Sequence, residues 1–250
     1  MMEARGLQGN VDLEEALSHY DKVLEAKAST LKKVDKKTLI DLDNWYQHEL
    51  PVAIQERKIK CITHAELCKL MKWKLMRGKF RPKLTEMVES NKPQSVLDAS
   101  QSAFDLLPDV EQALKALTVL KAVGPATASA ILAAGAPDQV PFMADESMLA
   151  ALPGRPKAYT LPYFLDYLDA VKNLVKQLNK DSGVSKDSMW TPHKVELALW
   201  SKSVTASLGI SLGVQPAAPP EKKRRRVNVE RNSVQNGTKT RGEKNKLQEL

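Results

Sequence analysis

Cysteine is almost missing from this chain: only Cys61 and Cys68 occur in 250 residues. Two thiols cannot build a disulfide framework or a four-cysteine metal site. Long apolar runs are missing too, and none approaches the roughly 18 residues that a membrane span needs. The opening "MMEARGLQGNVDLEE" is polar and acidic and has no apolar signal core. An intracellular, soluble protein without membrane contact is expected. Alternating polar–apolar stretches of the β type are nearly absent, and so are the Walker, Rossmann and nucleophile-elbow motifs.

Charge is present but unevenly spread. The net charge is +8, yet ten of the 38 basic and four of the 30 acidic residues lie in 216–250. That segment carries +6, which leaves +2 for residues 1–215. The body is nearly neutral, so the pI by itself says little about a nucleic-acid surface.

Helical periodicity dominates, and the fold class expected is all-α. "VDLEEALSHYDKVLEAKA" sets Leu13, Leu17, Tyr20 and Leu24 on one face, with Asp12 and Glu15 spaced as a capping box. A second helix begins near Asp35 and should break at or before Pro51. Thr63 and Glu66 form another capping box, which opens a helix that should stop at Gly78. Three helices follow in "KLTEMVES", "QSVLDASQSAFDLL" and "PDVEQALKALTVL", the last with Pro108 in its first turn. "YFLDYLDAVKNLVKQL" predicts a long helix, and Thr191 with Pro192 starts the final one.

From Pro216 the chain loses its apolar period, and a disordered basic tail over 209–250 is expected, with a flexible N-terminus over 1–10. The tail holds Lys222, Lys223, Arg224, Arg225 and Arg226 in a compact run of the nuclear-localisation type. A solvated charged tail is the plainer reading of the same residues. The run implies a nuclear import receptor as partner and the nucleus as location.

Between these segments lies "LKAVGPATASAIL", an amphipathic helix end, a Gly-Pro turn and a helix of alanines. Pro125 suits the first helical position, having no N–H to satisfy. So thin a helix lets a neighbouring helix or a ligand come close, and the free amides at its start can hold a phosphate. The stretch resembles the helix-hairpin-helix of the DNA glycosylase superfamily that includes endonuclease III and the adenine glycosylases. That pattern, L-P-G-V-G-x-x-T-A-x-x-I-L, is met at Leu120, Val123, Gly124, Thr127, Ala128, Ile131 and Leu132.

The resemblance implies a two-lobed helical fold: a central domain over 61–154 with its hairpin at 114–134, beside 11–60 packed with 155–208. It implies backbone contact with DNA phosphates at Val123, Gly124, Ala126 and Thr127. It also implies a catalytic aspartate at the next helix, where "VPFMADESM" supplies Asp145, nineteen residues after Ala126, with Glu146 as the fallback acid. Departures are specific. Ala122 replaces the first hairpin glycine, Ala126 replaces the lysine that bifunctional members use for Schiff-base chemistry, and "ADES" replaces the usual motif. No cofactor is implied.

Two further clusters complete the reading. "KWKLMRGKFRPK" gathers Lys74, Arg77, Lys79 and Arg81 with Trp73 and Phe80, a pattern suited to phosphate contact and base stacking. The same residues would equally serve as a solvated helix end over core aromatics. Cys61, His64 and Cys68 lie within eight residues but lack a fourth ligand, so no metal is expected. Two functions remain: a DNA-binding protein that acts as a monofunctional base-excision enzyme, or an inactive adaptor that uses the same fold to bind other proteins.

If the basic run is an import signal, alanine at all five positions 222–226 moves the protein toward the cytoplasm. Imaging of a fusion too large to diffuse through the pore reads this; unchanged nuclear accumulation would remove the signal.

Overall fold

A computed structural model of the chain describes residues 12–31, 36–181 and 189–210. The expected flexible N-terminus at 1–10 and the import run at Lys222–Arg226 lie outside the described residues, as does the expected tail from 211 onward. Every regular element among the described residues is a helix. After α1 (12–18) come α2 (Tyr20–Ser29), α3 (Lys36–Asn44), a π-helical turn (Trp45–Glu49), α4 (Leu50–Glu56) and α5 (His64–Arg77). Then follow α6 (Lys83–Glu89), α7 (Pro93–Asp105), α8 (Val110–Leu117), α9 (Pro125–Gly135), α10 (Asp145–Ala151), α11 (Leu161–Asp181) and α12 (Pro192–Leu208). No helix among them is long and apolar enough to cross a membrane.

Local signals account for most boundaries. Thr63 Oγ1 accepts from the Glu66 amide at 3.2 Å, and Glu66 Oε2 accepts from the Thr63 amide at 2.8 Å, the reciprocal capping box that begins α5. Thr191 Oγ1 accepts from Lys194 N at 3.2 Å and opens α12, with Pro192 next. Gly209, at φ +63°, closes α12, and the Ile210 amide donates back to Thr205 O. This left-handed cap ends the helix cleanly, so Gly209 and Ile210 belong to the folded body rather than to the tail.

Two boundaries differ from expectation. Pro51 does not break the second helical region, because the wide turn at Trp45–Glu49 absorbs its missing donor and Pro51 enters the first turn of α4. Pro108 lies before α8 rather than in it, since Asp109 is the cap and accepts from Gln112 N at 3.1 Å.

The alanine-rich α9 is the centre of the body. All of its residues from Ala126 to Gly135 are buried, and α4, α5, α7, α8 and α11 pack around it. Small side chains are needed because several helices converge on one. A β-carbon at Gly135 would collide with the Phe104 ring. Tyr46 Oη donates to Ala130 O at 2.8 Å, Gln55 Nε2 to Gly135 O at 3.0 Å, and the Met143 amide to Ser129 Oγ at 3.0 Å. Of the two uses open to a thin helix, close approach by neighbours is the one observed along its length.

Residues 118–124 join α8 to α9. Val123 is buried there as a plug, while Ala122 stands at φ +62°, where a side chain costs about 1 kcal/mol or more. Ala122→Gly removes that cost and should raise the melting temperature by about 2–4 °C. A lower melting point in a calorimetric scan would mean that the β-carbon packs usefully despite the strained backbone.

Candidate functional site

The end of α5, the turn before α9 and the start of α10 border a half-open cavity of about 430 Å³. The residues singled out from the sequence meet there: Lys74, Arg77, Lys79 and Arg81 from one side, Val123, Gly124, Ala126 and Thr127 from another, and Asp145 from a third. Phe142, Tyr159 and Trp200 add aromatic surface to the wall.

At the start of α9 the Thr127 and Ala128 amides both donate to Gly124 O at 2.9 Å. Pro125 has no N–H, so Gly124 and Ala126 carry the amides with no acceptor among the described residues. Gly124 is extended (φ −90°, ψ −176°), with nothing within 4 Å of where a β-carbon would stand. The glycine keeps space open here and is not required by its backbone angles.

Asp145 is the first residue of α10, and Ala144 occupies the cap position, so its carboxylate is not the helix cap. It accepts from Tyr159 Oη at 2.6 Å and from Lys157 Nζ at 2.5 Å. Its hydrogen bond, chiefly, holds the Lys157 ammonium above the ordinary lysine value; burial and the same carboxylate raise the Tyr159 phenol. Arg81 lies over the Tyr159 ring, 5.1 Å from its centroid. Lys157 and Tyr159 escaped sequence reasoning because they come twelve and fourteen residues after Asp145, in a proline-bounded loop with no motif. Only the fold brings them back.

Lys74 forms part of the same wall. Burial first, and then the positive Arg81, pull its amine down to about 8, while Asp145 opposes them.

Arg77 departs from the expected phosphate contact. Its guanidinium is buried, donating through Nη1 and Nη2 to the two Glu196 oxygens at 3.0 and 3.4 Å. Trp200 covers it at 4.2 Å, and Arg77 Nε donates to Tyr20 Oη at 3.3 Å. Burial pushes the Glu196 carboxyl up to about 7, with Arg77 opposing. The guanidinium stays charged at any working pH and engages both oxygens, so the two are held as an ion pair.

Trp73 also departs from its expected role, since it is fully buried. It stacks on Tyr46 at 3.6 Å and donates to Asp43 Oδ1 at 2.7 Å, so it cannot stack on a base. Phe80 is 69% exposed. His64 Nε2 bonds the Glu89 carbonyl at 3.0 Å, and no metal-holding group occurs among the described residues.

His193 lies beneath this network with Nε2 2.7 Å from Gln47 Oε1. Burial, reinforced by Arg77, pulls its pKa down to about 4 from 6.5. Between those values the unfolded chain binds a proton that the native state refuses, so His193 makes stability rise with pH and fall on acidification. The full contribution is about 3 kcal/mol. Urea unfolding of wild type and His193→Gln at pH 4.5 and pH 7 isolates it; the variant should lose much of the pH slope, and equal slopes would contradict the assignment.

No family model, curated protein or solved structure matches the chain.

Proposed function

We propose that this is a nuclear DNA-binding protein of the glycosylase helix-hairpin-helix type, two-lobed in plan, whose cavity receives an extruded base. The observation that carries the reading is the meeting of phosphate-type donors with a carboxylate. The unoccupied amides of Gly124 and Ala126, the cations Lys79 and Arg81, and Asp145 all border one cavity. Backbone amides and cations suit phosphates, and a base turned out of the stack needs a concave, partly aromatic pocket to receive it.

Base excision builds positive charge on the sugar as the bond to the base breaks. A carboxylate beside the sugar stabilises that charge and orients the attacking water. Asp145 has this role in the reading, with Glu146 next to it, and Tyr159 and Lys157 hold its oxygens in place. Val123 and Thr127 shape the turn, and Arg77 fixes the wall instead of touching DNA. Since Ala126 offers no amine at the resemblance's lysine position, the product expected from that motif is an intact abasic site. The competing reading, an inactive adaptor for protein partners, has the near-neutral body of residues 1–215 in its favour. An aromatic-lined cavity at Asp145 favours DNA over the adaptor.

Gly124→Val tests the interface, because it puts a side chain where phosphate must approach, at a position with no atom within 4 Å of the added β-carbon. With residues 216–250 removed, duplex affinity should fall several-fold and lose part of its salt dependence. Equal binding, with helix content intact by circular dichroism, would place DNA elsewhere. Asp145→Asn tests the chemistry. Binding should persist while release of a modified base, scored by alkali cleavage, falls by orders of magnitude. Unchanged release across a panel of modified-base duplexes would make Asp145 structural.

A further inference from the structure

We propose that Trp200 and Glu146 form the recognition end of this cavity and read a lactam edge, a ring carbonyl beside a ring N–H, on a planar nucleobase. That the base comes from a duplex rests on the DNA reading above; the edge chemistry does not.

The indole of Trp200 is the first indication. Trp200 belongs to the cavity wall and is fully buried, yet its Nε1 has no acceptor among the described residues. An indole N–H can only donate, and a buried donor without an acceptor is destabilising. The other tryptophan beside Arg77 is answered, since Trp73 Nε1 donates to Asp43 at 2.7 Å. The groups packed on the Trp200 ring cannot answer it. Arg77 offers only donors, and Tyr20 Oη already accepts from Arg77 and Gln47. The cavity is the neighbour that remains, and its occupant supplies the missing acceptor.

A second unanswered group lies beside the first. Ser203 comes three residues after Trp200, on the same face of α12, and its Oγ donates to Glu146 O at 3.2 Å. That bond fastens the start of α10 next to the indole. Glu146 also borders the cavity, and its carboxylate has no partner among the described residues. Asp145 cannot take its place, because both Asp145 oxygens accept from Tyr159 and Lys157.

One donor and one carboxylate on adjoining helices define an edge. Trp200 Nε1 donates to a carbonyl oxygen, and Glu146 accepts from the ring N–H next to it. Uracil and guanine rings carry that pair. Cytosine and adenine carry the reverse, an amino group against the indole N–H and a bare ring nitrogen against the carboxylate, so each contact sets like against like. A site whose polar groups need partners rejects a ring that leaves them unpaired more strongly than an apolar pocket rejects a change of size. Phe142 and Tyr159 give the ring aromatic surface, while Lys79 and Arg81 suit the phosphate that any nucleotide carries.

The test uses the full chain with isotope-labelled tryptophan and two pairs of probes. Uridine and cytidine monophosphate differ only at this edge. A duplex with one uracil, or one cytosine, opposite a tetrahydrofuran site presents the same two rings unpaired in DNA. A bound uracil probe should move the Trp200 indole proton downfield in NMR spectra, while the Trp73 indole, held by Asp43, stays in place. It should bind at least about tenfold more tightly than its cytosine counterpart. Trp200→Phe keeps a ring over Arg77 without the donor, and Glu146→Gln keeps the length without the charge. Either variant, folded by its melting curve, should lose most of that preference. Equal affinity for the two rings, a Trp200 indole unmoved by bound uracil, or preference retained in both folded variants would overturn the proposal; the first two are read on wild type alone. Preference among free nucleotides without duplex binding would end the DNA reading and leave the recognition end standing. Duplex binding that shifts Gly124 but not Trp200, with no preference, would do the reverse. Binding of no probe would end both.

Discussion

The buried ion pair between Arg77 and Glu196 is the interaction on which the site depends. It joins the last residue of α5 to the first turns of α12, two helices whose contacting residues are 119 apart in sequence. Around it the polar groups close on one another: Arg77 donates to Tyr20, Tyr20 and Trp73 donate to Asp43, and Gln47 links Tyr20 to His193. Removing one partner of such a pair leaves a dry, uncompensated charge and typically costs about 3–5 kcal/mol. The pair also has a positional consequence. Lys74 precedes Arg77 by one turn, and Gly78 to Arg81 follow it directly, so the basic wall of the cavity is anchored by a residue whose guanidinium is committed to an ion pair.

The same geometry separates the roles of the basic cluster "KWKLMRGKFRPK". Arg77 and Trp73 face inward and support; Lys74, Lys79 and Arg81 border the cavity; Phe80 stands in solvent. Asp145 belongs to a different kind of arrangement, a carboxylate fixed by a phenol and an ammonium from one loop. It lies in the first turn of α10 and does not cap the helix, and its two oxygens accept from that pair.

Much of the fold was legible because its signals are local. Capping pairs such as Thr63 with Glu66, and Thr191 with the Lys194 amide, carry their partners within three residues. Candidate site residues were legible in part, since Gly124, Ala126 and Asp145 are close in sequence and the motif orders them. What could not be read was long-range. Nothing near Arg77 signals Glu196, and a basic residue near a helix C-terminus looks like a solvated one. Pro51 misled for the opposite reason: its local meaning is a break, and only the wide turn before it supplies the accommodation. Lys157 and Tyr159 carry no pattern until the loop folds onto Asp145.

The central claim is that the cavity mouth between the start of α9, Lys79–Arg81 and Asp145 is where a nucleic-acid duplex sits. Amide NMR shifts of the full chain, titrated with a short duplex at two salt concentrations, test it most directly. The account predicts salt-sensitive shifts centred on Gly124, Ala126 and residues 78–81, persisting when Lys222–Arg226 are replaced by alanine. Shifts confined to the basic tail, or lost with those five residues, would contradict it.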